Sequence, residues 1–217
     1  MEKKRKNDIL DYKEPVTKIY FVRHGETKAN KLRLLFGHLD LDLTQEGIKQ
    51  ASHAAFKLTK IVQKERIDFI LTSPLKRAQH TAKIISRKLK IKKIIMDNNL
   101  IEKSEGLWEG RNFWEVRKND SKNYYRWLKN PFKNKPPKGE SVEDLNKRVK
   151  SFYQSILKKY SGKTIIVTTH TGPIRLFILH LLKADISQFW RLKLDCGSIS
   201  KVHISKKHSV ILSMNLT

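Results

Sequence analysis

The sequence predicts an α/β fold, a single three-layer domain with a mostly parallel sheet flanked by helices. Three observations predict it. Short β-branched and aromatic runs such as Ile19-Tyr20-Phe21-Val22, Phe69-Ile70-Leu71 and Ile165-Ile166-Val167 recur along the chain, as expected of buried strands. Segments with apolar residues at three- and four-residue spacing separate them, the period of a helix packed on a sheet. Strand and helix patterns alternate from end to end, which favours parallel pairing.

Taken in order, residues 1–16 read as a basic, solvated extension closed by Pro15, without the apolar core of a secretory signal. The first strand is expected at about 17–23. A loop from Asn30 to Leu43 leads to Thr44, the N-cap of a helix with Ile48, Ala51, Ala55, Leu58 and Val62 on one face. Ile67 to Ser73 reads as a second strand. Pro74 then opens the first turn of a helix whose apolar face is Ala78, Ala82, Ile85 and Leu89. Ile94-Ile95-Met96 is a short third strand.

From about 98 to 139 the pattern loosens, with Trp108, Trp114, Tyr124, Tyr125, Trp127 and Phe132 among lysines. A connection of this length is expected to be a helical lid insertion. Ser141 caps a helix striped by Val142, Leu145, Val149, Phe152 and Ile156, and Gly162 ends that region. Thr164 to Thr169 is the next buried strand, and Leu176 to Leu182 an apolar helix. Two final runs, Ile199–Ile204 and Val210–Leu212, predict an antiparallel hairpin at a sheet edge. The domain is thus expected over 17–217.

A chain of 217 residues buries a sizeable core without disulfides or metals. One cysteine, Cys196, rules out an intrachain disulfide and a Cys-cluster metal site. No run is long enough to span a membrane, so a cytoplasmic protein without membrane partners is expected. The 46 Lys+Arg against 21 Asp+Glu give a formal +25, a field that attracts polyanions. The lysines are scattered over every segment and no nucleic-acid motif is present. A Lys-rich bias spread over a solvated surface, in a protein with a small phosphorylated substrate, is therefore expected rather than specific nucleic-acid binding, and a homodimer is left open.

Three of the apolar runs end in chemistry: Arg23-His24, Ser73 with Arg77 close behind, and His170. If these strands are parallel neighbours, two imidazoles and two guanidiniums meet at one sheet edge, where ligands bind in such folds. Guanidinium forks match a phosphate bidentately. A neutral imidazole is a competent nucleophile near pH 7. A carboxyl group is then needed to protonate the leaving alcohol and activate water, and Glu102, Glu105 and Glu109 are the candidates.

These residues resemble the histidine phosphatase superfamily, the phosphoglycerate mutase-like fold, over nearly everything beyond residue 16. Phe21-Val22-Arg23-His24-Gly25-Glu26-Thr27 with Asn30 is similar to its nucleophile motif, Gly37-His38-Leu39-Asp40 to the loop that follows, and Thr72-Ser73-Pro74-Leu75-Lys76-Arg77 to its second arginine segment. His170 matches the second histidine. The resemblance implies His24 as nucleophile, Arg23, Arg77 and His170 around the phosphoryl group, and phosphate contacts from Asn30, Gly37 and Thr171. The register of Leu100-x-Glu102-x-x-x-Gly106-x-Trp108-Glu109-Gly110 implies Glu102 as the acid, with Glu105 solvated and Glu109 making structural hydrogen bonds.

Two departures stand out: Thr171-Gly172 where the family usually has Gly-Gly, and Asp42 where it often has Pro. The resemblance implies no cofactor. His38, His53, His80, His180, His203 and His208 read as surface or packing residues, and no metal is expected because no HExxH pair or Cys/His cluster occurs. Lys138-Gly139-Glu140-Ser141 and Thr171-Gly172-Pro173 favour the phosphatase branch over phosphoglycerate mutase-type transfer. A basic nucleic-acid binder on a phosphatase scaffold is the remaining alternative.

Overall fold

In a computed structural model, which describes residues 14–63 and 65–217, six strands form one sheet in the order β3-β2-β4-β1-β5-β6. They are β1 (Thr17–Arg23), β2 (Phe69–Thr72), β3 (Ile94–Met96), β4 (Thr164–Thr169), β5 (Ile199–Ile204) and β6 (Ser209–Leu216). The first four in that order pair in parallel, and β5 and β6 add an antiparallel edge. The predicted architecture holds, as a mixed sheet with a parallel centre. All but residues 14–16 of the extension expected over 1–16 lies outside the described residues.

Strand alternation explains the two cores. Ile19, Phe21, Leu71, Ile165 and Val167 face α6 (Val142–Lys159) and α7 (Thr171–Leu182). Tyr20, Val22, Ile70 and Ile166 face α2 (Gln45–Val62) and α3 (Lys76–Leu89). A strand covered on both faces needs apolar side chains at every position, which is why these runs do not alternate in sequence. The predicted stripe of α6 is buried in full, and both Thr44 and Ser141 cap their helices through their side chains.

Register carries the functional consequence. Arg23 pairs with Thr169, and Thr72 with Thr168, so His24, Ser73 and His170 leave the sheet side by side. The insertion contains α4 (Phe113–Asn119) and α5 (Ser121–Lys129). Buried Trp108 ties this region down by donating its indole N–H to Asp120 at 2.9 Å.

Some boundaries differ from expectation. Pro74 lies outside its helix, because Leu75 is the N-cap and Lys76 the first helical residue. Helix α7 starts at Thr171, five residues before the predicted Leu176. Gly172-Pro173 reads as a loop signal, yet a proline in a first turn loses no intrahelical hydrogen bond. The four-residue α1 (Lys28–Lys31) and a 3-10 segment, Ile186–Arg191, were not expected.

Candidate active site

His24 is buried and donates Nδ1–H to the carbonyl of Gly25 at 2.7 Å, which leaves the lone pair on Nε2. Burial, with Arg77 and Arg23 nearby, holds its pKa well below the usual histidine range. A buried neutral ring with its tautomer set is the state a nucleophile requires.

His170 lies beside it, ring centroids 5.0 Å apart. The Nε–H of Arg77 donates to His170 Nδ1 at 3.2 Å. Arginine has no acceptor, so Nδ1 accepts, and Nε2–H donates to the Ser73 hydroxyl at 2.8 Å. His170 is neutral too, its pKa lowered by burial and then by Arg77, His24 and Arg23. Arg77 is fully buried, and its Nη groups donate to the carbonyls of Leu39 and Gly37 at 2.9 and 2.7 Å. Three of its five N–H donors are thus engaged. Burial lowers its pKa to about 10, against the attraction of Glu102, Asp40 and Glu109.

Glu102 is held by two backbone amides: Lys103 N–H donates to Oε1 at 2.9 Å and Gly172 N–H to Oε2 at 3.1 Å. A Cβ at position 172 would overlap Glu102 Oε1, so any side chain there would displace the carboxylate. Thr171, the residue that departs from the usual pattern, lines the cleft without that constraint. Beneath the acid loop, Arg148 donates to the carbonyls of Ile101 and Glu102 and pairs with Glu140 at 2.7 Å. Glu140 in turn accepts from Ser104 N–H at 2.9 Å. Arg148→Met should therefore cost about 1–3 kcal/mol of stability and lower turnover by loosening Glu102. Urea unfolding with kinetics checks this, and an unchanged midpoint with unchanged turnover would contradict the clamp.

A cleft of about 230 Å³ opens over these groups. Arg23, His24, Gly37, Glu102 and Thr171 line it, with Phe113 and Trp127 of the insertion opposite. Arg77 and His170 are not among its lining residues, but His170 stands against His24, and Arg77 against His170. Asn30 is further off, its Oδ1 accepting from Thr27 N–H and hydroxyl at 3.0 and 2.9 Å in a capping box. The Nε–H of Arg23 is buried without a partner, an orphaned donor at an anion-sized site.

One expectation fails. Glu105 is not solvated: its side chain is 17% exposed, pairs with Lys103 at 2.7 Å and lines the cleft. Burial pushes its carboxyl up, against the pull of Lys103. Glu109 behaves as expected, with Oε1 accepting from His38 N–H at 2.8 Å and Glu105 N–H at 3.0 Å. His38 donates Nε2–H to the Glu102 carbonyl at 2.9 Å. Arg148 and Arg175 were missed. The signal for Arg175 is its four-residue spacing from Thr171 along α7; Arg148 has none, because Glu140 lies before the N-cap of α6. Among the described residues no group of three or more His, Cys, Asp or Glu is placed to share one metal ion, and no helix is long and apolar enough to cross a membrane.

The buried histidines also set a stability profile. Burial lowers the pKa of His24, His170, His180 and His203, the last to about 4. An unfolded histidine takes up its proton near 6.5, so the unfolded state binds more protons below that pH. Their stabilisation is complete above about pH 6.5 and declines as pH falls. Chemical denaturation at pH 7.5, 6 and 5 should show a progressive loss; a flat profile would contradict the neutral assignment.

Comparison with known proteins bears on the family and the fold. Residues 19–217 match the model described as the histidine phosphatase superfamily, branch 1. Phosphoserine phosphatase 1 of Hydrogenobacter thermophilus is 35% identical over 202 residues, 93% of each chain. The adenosylcobalamin/alpha-ribazole phosphatase of Escherichia coli is 30% identical over 200 residues, 91% of this chain and 95% of that one. A crystal structure of a putative alpha-ribazole-5'-P phosphatase from E. coli superposes with a TM-score of 0.84 at 28% identity, covering 92% of this chain and 96% of that one. A phosphoserine phosphatase mutant from Entamoeba histolytica, solved in complex with phosphoserine, has a TM-score of 0.77 at 29% identity, with 92% and 96% covered.

Proposed function

Because the chain belongs to branch 1 of the histidine phosphatase superfamily, we propose that its phosphatase chemistry runs through a phosphohistidine at Nε2 of His24, without a metal ion, on a small phosphorylated metabolite. The observation that carries this reading is the pairing across one cleft of a neutral imidazole, its Nδ1–H spent on Gly25, with the Glu102 carboxyl held by two amides.

In the first step the Nε2 lone pair attacks phosphorus and the ester P–O bond breaks. Protonated Glu102 gives its proton to the departing alkoxide. Arg23 and the two free N–H groups of Arg77 hold the phosphoryl oxygens, joined by His170 once its Nε2–H turns from the Ser73 hydroxyl to the phosphate, where fixed donors oppose developing charge. Thr171 contributes its hydroxyl, Gly37 its backbone and Asn30 a peripheral polar contact. In the second step Glu102, now a carboxylate, takes a proton from water. The hydroxide oxygen bonds to phosphorus, the P–N bond breaks, and its electrons return to His24. Residues 111–139 shape the leaving-group side.

The test is phosphate release from phosphoserine, sugar phosphates, phosphoglycerates, nucleotides and an aryl phosphate, with EDTA present. Phosphoserine heads the panel because similar proteins carry it in their names. Release that survives chelation is expected; release abolished by EDTA and restored by a divalent cation would overturn the metal-independent reading.

A further inference from the structure

We propose that Arg175 is a specificity-determining residue that binds a second anion of the substrate, a carboxylate on the leaving group. The substrate class is then a short phosphorylated carboxylic acid, and the assignment rests on the phosphatase reading above.

Arg175 follows Thr171 by one turn of α7, and both line the cleft. Residues four apart share a helix face, so the two side chains leave α7 about 6 Å apart along its axis. That offset suits an ester whose phosphate and carboxylate are separated by two or three carbons.

The group is fixed in place. Its Nε–H donates to the Leu192 carbonyl at 2.6 Å, and its plane lies over the Phe189 ring at 5.3 Å. Its Nη groups have no protein acceptor among the described residues. Of the cleft's cations, Lys103 is already neutralised by Glu105 at 2.7 Å, and Arg23 belongs to the phosphate. Arg175 is left without a contacting counter-ion, and burial lowers its pKa, with only the attraction of Glu102 opposing it. A partly buried, unpaired guanidinium is costly, and a planar carboxylate offers two acceptors to its two Nη groups.

The experiment compares kcat/KM for phosphoserine and phosphoethanolamine, which differ only by the carboxylate, in wild type, Arg175→Gln and Arg175→Lys, with an aryl phosphate alongside. Wild type should favour phosphoserine by at least about tenfold. Arg175→Gln should bring the ratio to within about threefold of unity, and Arg175→Lys should keep part of it. A wild-type ratio near unity would overturn the proposal even if no variant folded. So would an Arg175→Gln variant in which both substrates fall by the same factor, the mark of a structural role. Aryl phosphate turnover separates the two failures: if it persists while the ratio is near unity, the phosphatase reading stands and the carboxylate site falls. If no ester on the panel is cleaved, both fall.

Discussion

His24→Gln is expected to reduce turnover by at least about 10³-fold, the scale on which a covalent nucleophile and its partners act. The glutamine amide still offers N–H groups to the Gly25 carbonyl, which His24 now bonds at 2.7 Å, and it is close to the imidazole in size. What it lacks is a basic lone pair where Nε2 stands. Packing and phosphate contacts survive, so the loss should fall on kcat, with KM changed by a few-fold at most. Steady-state kinetics on the best panel substrate checks this. A variant within about tenfold of wild type would mean that phosphorus is attacked by something else, and the His24 assignment would have to be abandoned.

Gly172→Ala should lower kcat by about 10²-fold, because a small displacement of a catalytic group costs that much. The added methyl overlaps Glu102 Oε1 and comes to 2.8 Å from Leu145 Cδ2. The acid must then move, and it loses the amide that holds Oε2 at 3.1 Å. Alanine is the better helix former by about 1 kcal/mol, which offsets part of the crowding. Stability should therefore change little while turnover falls, a dissociation that a general folding defect would not produce. Thr171→Gly, by contrast, should cost well under tenfold, because Thr171 holds no other catalytic group in place. Wild-type kcat in Gly172→Ala would show that Glu102 does not depend on this approach.

The cluster of His24, Ser73 and His170 was legible because each stands where a buried strand stops. His24 follows β1, Ser73 follows β2, and His170 follows β4, and the apolar runs before them make the strand ends plain. The close approach of Glu102 to position 172 was not legible. It depends on a carboxylate seventy positions earlier in the chain resting against the first turn of α7. Arg148 and Arg175 escaped for the same reason, since their partners are carbonyls, the Glu140 carboxylate and a ring outside their own helices. Glu105 was misread because a carboxylate in a lysine-rich stretch looks solvated; its 2.7 Å pair with Lys103 on the cleft wall is a tertiary fact. The early start of α7 was masked by Gly172-Pro173, a turn signal in sequence that the first turn of a helix tolerates.

Rapid quench of wild-type enzyme with phosphorus-labelled substrate, followed by peptide mapping, looks for the phosphohistidine itself. An acid-labile, alkali-stable label is expected on the peptide carrying His24, forming and decaying at least as fast as turnover. In Gly172→Ala that label should persist longer, since Glu102 also activates the water that removes it. Turnover with no label at any quench time, or label on a peptide that lacks His24, would contradict the phosphohistidine at His24.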